Sequence, residues 1–391
     1  MTGSEVAPLL ITLGALFAVG LVADAVGRRT PLPRVTLLLG CGIAVGGSGF
    51  DLLPGNVQAL YDGLSTVALT MVAFLLGNSL TLSALREHGR AILAVSILIV
   101  LATVGFVTLG LWLLGVPAPV ALLLGAIATA TDPAATQDAL RQAGARGPFA
   151  DLLKGIVAID DAWGLLAFSV AVVAAVGMSE GTDLAHLGTA VRELGGALAL
   201  GVALGLPSAY LTGRLAPGEP QMTEALAVVF LAAGLASWAG VSFLIAGMVA
   251  GATVANLARH HETAFHEIEH IQWPFLILFF VLAGASLEVG RLADLGLIGG
   301  AYVVLRIAAR IAGGWLGGVL GRADPAQRPW LGVALLPQAG VAVGMALVAV
   351  QEFPEYRGLI LSLTIGTTVI FEIIGPAATV YAGRRVAARG G

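Results

Sequence analysis

The sequence predicts an all-α membrane protein of about thirteen transmembrane helices, arranged as inverted repeats around two broken helices. Three observations carry that expectation. Hydrophobic residues make up 58% of the 391-residue chain and charged residues only 11%, less than half of the roughly 25% that a soluble domain needs to hold its surface in water. Apolar runs long enough to cross a hydrocarbon core recur from one end of the chain to the other. Two of those runs, in matching positions of the two halves, are interrupted by proline beside polar residues, the pattern of a transporter with inverted repeats. The mean hydropathy of +0.93 agrees, and the 53 glycines suit helices that pack closely in lipid.

In order, the spans are expected near 6–26, 32–50, 58–80, 90–115, 118–143, 149–178, 190–213, 222–239, 241–258, 270–288, 293–320, 328–351 and 358–382. The first has no basic segment before it and is long enough to span, so it reads as a retained helix rather than a cleaved signal. A short break at Ser237–Gly240 separates the eighth span from the ninth. Counting alternate loops with the adjoining span ends, one side collects Arg28, Arg29, Arg34, Arg86, Arg90, Arg141, Arg146, Lys154, Arg214, Arg259, Arg322, Arg328, Arg384, Arg385 and Arg389, while the other holds Arg192, Arg291 and Arg357. The positive-inside rule then places the N-terminus outside and the C-terminus in the cytoplasm. The chain closes on an Arg-rich GRRVAARGG tail, with no expected regulatory domain. The single cysteine, Cys41, excludes a disulfide framework or a cysteine-based metal site.

Ionisable groups inside spans cost several kcal/mol each and face a cavity or one another. Here they are Asp132, Asp160, Asp161, Arg306, Arg310 and Glu372. In the fifth span, ATATDPAATQ, Pro133 removes a backbone donor and disfavours helix at Asp132, and Thr129 and Thr131 offer hydroxyls to the freed backbone. The twelfth span carries the matching break at Pro337, Gln338 and Gly340. Such breaks are tolerated in a membrane only within protein or along a cavity. In the sixth span, Asp160 and Asp161 stand about 100° apart around the helix, so they face different neighbours. Two adjacent carboxylates cannot both ionise cheaply in a low dielectric without a cation beside them. That is the chemistry of exchange, because a metal cation and a proton compete for one group. Arg306 and Arg310, one turn apart in the eleventh span, share a face and keep their protons. They are expected to neutralise Asp160 and Glu372 rather than to carry protons.

The TDP break, the IDDAWG run, the R-x-x-A-R-x-x-G run from Arg306 and the EIIGP run from Glu372, in that order, resemble the bacterial monovalent cation:proton antiporters. The most similar branch is the second cation:proton antiporter family, which includes the NapA-type sodium/proton antiporters. GRRTPLPRVTLLLGCGIAVG and PFLILFFVLAGASLEV fit as well, so the resemblance covers essentially the whole chain. It implies a secondary active transporter that exchanges Na+ or Li+ for protons by alternating access, as a homodimer in the cell inner membrane. Neither cofactor, resident metal, nucleic-acid partner nor enzymatic activity is expected. A dimerisation domain would comprise residues 1–88 and 216–290, and a moving core domain 89–180 and 291–391, joined by a connecting helix in 181–215. Asp161 would bind cation and proton in turn, Asp160 would pair with Arg310, and Thr131 and Asp132 would shape the site. Sodium-transporting members with two aspartates usually have lysine where Arg310 stands. An arginine practically cannot release a proton, so proton coupling here is expected to rest on the carboxylates.

Two other readings compete. His266, Glu267 and His270 fit H-E-x-x-H, the zinc-protease pattern with both histidines on one helix face. No third ligand is evident in a following span, and a histidine cluster at a membrane surface also offers neutral-range titration. A potassium/proton antiporter of the Kef kind is similar in its membrane half. Such chains normally have glutamine where Asp160 stands, and a cytoplasmic nucleotide-binding domain.

Overall fold

The apolar runs fold as helices, and the two expected breaks are where the sequence places them. The computed structural model describes residues 3–29, 34–47, 49–53, 55–80, 89–180, 184–212, 221–258, 261–285, 296–338 and 340–387. The described residues form α1 (Gly3–Arg29), α2 (Arg34–Val45), α3 (Gly55–Gly77), α4 (Arg90–Leu113), α5 (Ala118–Ile127), α6 (Pro133–Gln142), α7 (Pro148–Glu180), α8 (Leu184–Thr212), α9 (Gln221–Ala239), α10 (Phe243–Leu257), α11 (His261–Ala285), α12 (Gly296–Leu320), α13 (Arg328–Ala334), α14 (Gly340–Glu352) and α15 (Arg357–Ala387). No strand occurs among them. Seven helices among the described residues are long and apolar enough to cross a membrane unaided. Short helices α5 with α6, and α13 with α14, are the two broken spans.

Between α9 and α10 the chain turns at Gly240, whose φ of +64° suits a residue without a Cβ. The Ser242 hydroxyl then accepts the Ile245 amide and starts α10. These are two separate helices, as the Ser237–Gly240 break implied.

Two bundles are evident from which helices pack together. In one, α12 lies along α4, α5 and α7 lean on α4, and α13, α14 and α6 pack on α15. In the other, α10 lies against α3 and α8, and α11 against α2, α3 and α9. Helix α8, which links the bundles in sequence, packs chiefly on α10 and so leans on the second. The α12–α4 contact depends on small residues: a Cβ built on Gly317 would lie 2.5 Å from the Val95 Cα. In the first bundle, each half of the sequence supplies a long helix, a broken helix and another long helix (α4, α5/α6, α7; then α12, α13/α14, α15).

Candidate ion-binding site

The site forms where the two breaks cross. After α5 the chain leaves the helix over residues 128–132, and after α13 over 335–338. The Asp132 amide donates to the Pro337 carbonyl at 3.2 Å and joins the breaks directly. Asp132 is extended, and its carboxylate accepts the Ala135 amide at 2.9 Å, capping α6 with Pro133 in its first turn. Pro337 is packed from behind: a Cβ on Gly375 of α15 would sit 2.5 Å from the Pro337 Cα. Gln338 is fully buried beside the Tyr302 hydroxyl, with neither group in a well-formed hydrogen bond.

A helix break in a membrane must find donors for its freed carbonyls, which also carry the negative end of the preceding half-helix dipole. The two arginines of α12 supply them, both fully buried. Arg306 donates from Nε to the Ala128 carbonyl, from Nη2 to Ala130 and from Nη1 to Leu336, each at 2.9 Å. It therefore ties the first break to the second, with its guanidinium 4.1 Å over the Phe371 ring. Arg310 donates to the Thr129 carbonyl and, at 3.2 Å, to Ala130. Its Nη1 meets the Asp160 carboxylate at 3.0 Å.

The adjacent aspartates of α7 thus stand in different surroundings. Asp160 is fully enclosed, between Arg310 and the Ser96 hydroxyl of α4, which donates at 3.3 Å. Asp161, 3% exposed, accepts the Thr131 amide at 3.1 Å and the Thr131 hydroxyl at 2.8 Å, both on Oδ1. Among the described residues no comparable donor meets its Oδ2, and no basic group lies within ion-pair distance.

Glu372 is met differently from expectation. The Thr36 hydroxyl of α2, in the other bundle, donates to its Oε2, while Arg306 is engaged by carbonyls. The physical reason is placement: the Arg306 guanidinium lies at the crossing, with its donors on three backbone carbonyls, and the hydroxyl that reaches Glu372 comes from α2. Ser96, Thr36 and Phe371 were not singled out by sequence. Hydroxyls in apolar helices ordinarily bond their own backbone, as Thr103 does with Ile99 at 2.7 Å.

Among the described residues, no group of three or more His, Cys, Asp and Glu side chains is placed to hold a resident metal ion. His266, Glu267 and His270 lie on α11, outside the crossing.

Crossed half-helices with buried carboxylates, in a chain of membrane-spanning length, define a carrier of small ions. A family model described as sodium/hydrogen exchanger, transmembrane, matches residues 13–380, and the chain belongs to that family. It is a multi-pass membrane protein and a transporter, not an enzyme, which sets the protease reading aside. The ammonium/H+ antiporter subunit AmhT of Alkalihalophilus pseudofirmus is 23% identical over 374 residues, 94% of this chain and 90% of that one. The Na+/H+ antiporter NhaP of Pseudomonas aeruginosa is 27% identical over 286 residues, covering 67% and 66%. The structure of the sodium proton antiporter MjNhaP1 from Methanocaldococcus jannaschii superimposes with a TM-score of 0.77 at 18% identity, covering 96% of this chain and 98% of that one.

Proposed function

We propose that the protein exchanges Na+ or Li+ for protons, with Asp161 binding the cation and the proton in turn. The observation that carries this reading is the contrast within the aspartate pair. Asp160 has its counter-charge in Arg310. Among the described residues, Asp161 has only the Thr131 donors, so a bound cation or a proton is what can satisfy the rest of its carboxylate. The two species exclude each other there, and that exclusion couples their opposite movements.

The bundle of α4–α7 with α12–α15 is the moving core, α1–α3 with α9–α11 the fixed scaffold through which two copies pair, and α8 the connecting helix. Sequence positions 89–180 and 291–391 would then move against 1–88 and 216–290, with 181–215 linking them. The Thr36–Glu372 contact crosses between the two bundles and would have to open as the core moves. The loop charges support an N-terminus outside and a C-terminus inside, and the family resemblance supports a place in the cell inner membrane.

The test is exchange in proteoliposomes under an imposed pH gradient, with Na+, Li+, K+ and ammonium added in turn, with and without an ionophore clamping the voltage. Na+ and Li+ should collapse the gradient fastest. A response confined to K+ or to ammonium would overturn the sodium assignment while leaving cation:proton exchange in place.

A further inference from the structure

The ion site leaves unused the cluster at the start of α11. His266 and His270 are exposed and one helical turn apart. Their rings meet edge to face, with centroids 4.4 Å apart and planes at 83°, and their Nε2 atoms lie 3.0 Å from each other. On the far side of the His266 ring, Nδ1 faces the Glu269 carboxylate at 3.9 Å.

We infer that His266 and His270 chelate one first-row dication of the Ni2+, Cu2+ and Zn2+ class through their facing Nε2 atoms. Metal–imidazole bonds of about 2.0–2.1 Å spanning a 3.0 Å gap subtend about 94° at the metal. That angle fits neighbouring positions of a tetragonal or octahedral ion, with water completing the shell. A metal-bound imidazole keeps its other nitrogen protonated toward a carboxylate, which fixes the tautomer and leaves the ligating lone pair free. Glu269, 3.9 Å from His266 Nδ1, would do this after a small rotation of its exposed side chain. Hard cations such as Mg2+ prefer oxygen ligands and would pass over the pair. The same Nε2 separation also suits two neutral rings sharing a proton, and metal titration separates the two arrangements.

The experiment is calorimetric titration of the purified, tag-free protein in detergent with Ni2+, and separately with Mg2+. One Ni2+ per chain and no Mg2+ binding are expected. His266→Ala and His270→Ala should each weaken Ni2+ binding by more than about tenfold, and Glu269→Gln by about tenfold, the low end for loss of an outer partner. All three side chains are exposed, so the metal-free variants should melt like the parent protein. Ni2+ binding that survives in the His266→Ala/His270→Ala double variant would overturn the site. So would an absence of Ni2+ binding up to millimolar concentrations in the parent.

Discussion

At the first break, between α5 and α6, the carbonyls of Ala128, Thr129 and Ala130 are all covered by arginine, and Thr131 gives both amide and hydroxyl to Asp161. At the second, between α13 and α14, Leu336 takes one Arg306 donor, Pro337 takes the Asp132 amide, and the neighbouring side chain is the neutral Gln338. The second break is held instead by close packing: the Phe280 ring occupies the space a Cβ on Gly340 would need, and Gly375 backs Pro337. The two halves repeat the same course of backbone but divide the chemistry unequally. Under the proposed exchange, one break would bind the ion and the other would brace it.

Changes at the shared tie should have the largest effect. Arg306→Met would remove its donors to Ala128, Ala130 and Leu336 at once, leaving Ala130 the 3.2 Å bond from Arg310. With hydrogen bonds from charged groups worth about 1.5–3 kcal/mol each, the loss should exceed about 3 kcal/mol, with transport abolished. Arg306→Lys should recover only part of it, because an ammonium lacks the planar fork. Thermal melting in detergent measures this, and a parental melting temperature in Arg306→Met would break the claim that one side chain joins both breaks.

A smaller loss belongs to the braced side. Gly340→Ala should cost about 1–3 kcal/mol by overpacking against Phe280, and Phe280→Leu in the same chain should return much of it. No recovery in the double variant would mean that packing there is not what holds the second break.

The mildest change bears most directly on the difference between the breaks. Thr131→Val removes the 2.8 Å hydroxyl contact to Asp161 but keeps the backbone donor. At about 1.5 kcal/mol, the low end for a hydrogen bond to a charged group, the apparent KM for Na+ should rise about tenfold, with the melting temperature nearly unchanged. Gln338→Leu should leave KM within about twofold. Equal shifts in the two variants would erase the division between a binding break and a bracing one.

The breaks were legible because a proline inside an apolar run both removes a backbone donor and crowds the preceding turn, so a continuous helix cannot pass through it unchanged. Asp132-Pro133 carried a second meaning, since Asp at an N-cap and Pro in the first turn also start a helix, as they do for α6. Arg306 and Arg310 were visible as two costly charges on one face. Their carbonyl partners were not, because backbone acceptors leave no trace in residue identity. Ser96 and Thr36 were hidden for another reason. Thr70, Thr103 and Ser169 bond the carbonyl four residues back in their own helices, and nothing local distinguishes Ser96 or Thr36 from them. Only the packing of α4 on α7, and of α2 near α15, gives those two hydroxyls a carboxylate.

Unequal roles for two neighbouring carboxylates lie at the centre of this mechanism, and the direct test is to neutralise each in turn. In proteoliposomes with an imposed pH gradient and an entrapped pH dye, Asp161→Asn should show no Na+-driven proton movement while melting near the parent temperature. Asp160→Asn, which leaves Arg310 buried without its counter-charge, should melt lower and keep part of the exchange. Normal exchange by Asp161→Asn would contradict that division of roles, as would an Asp160→Asn protein equally inactive and fully stable.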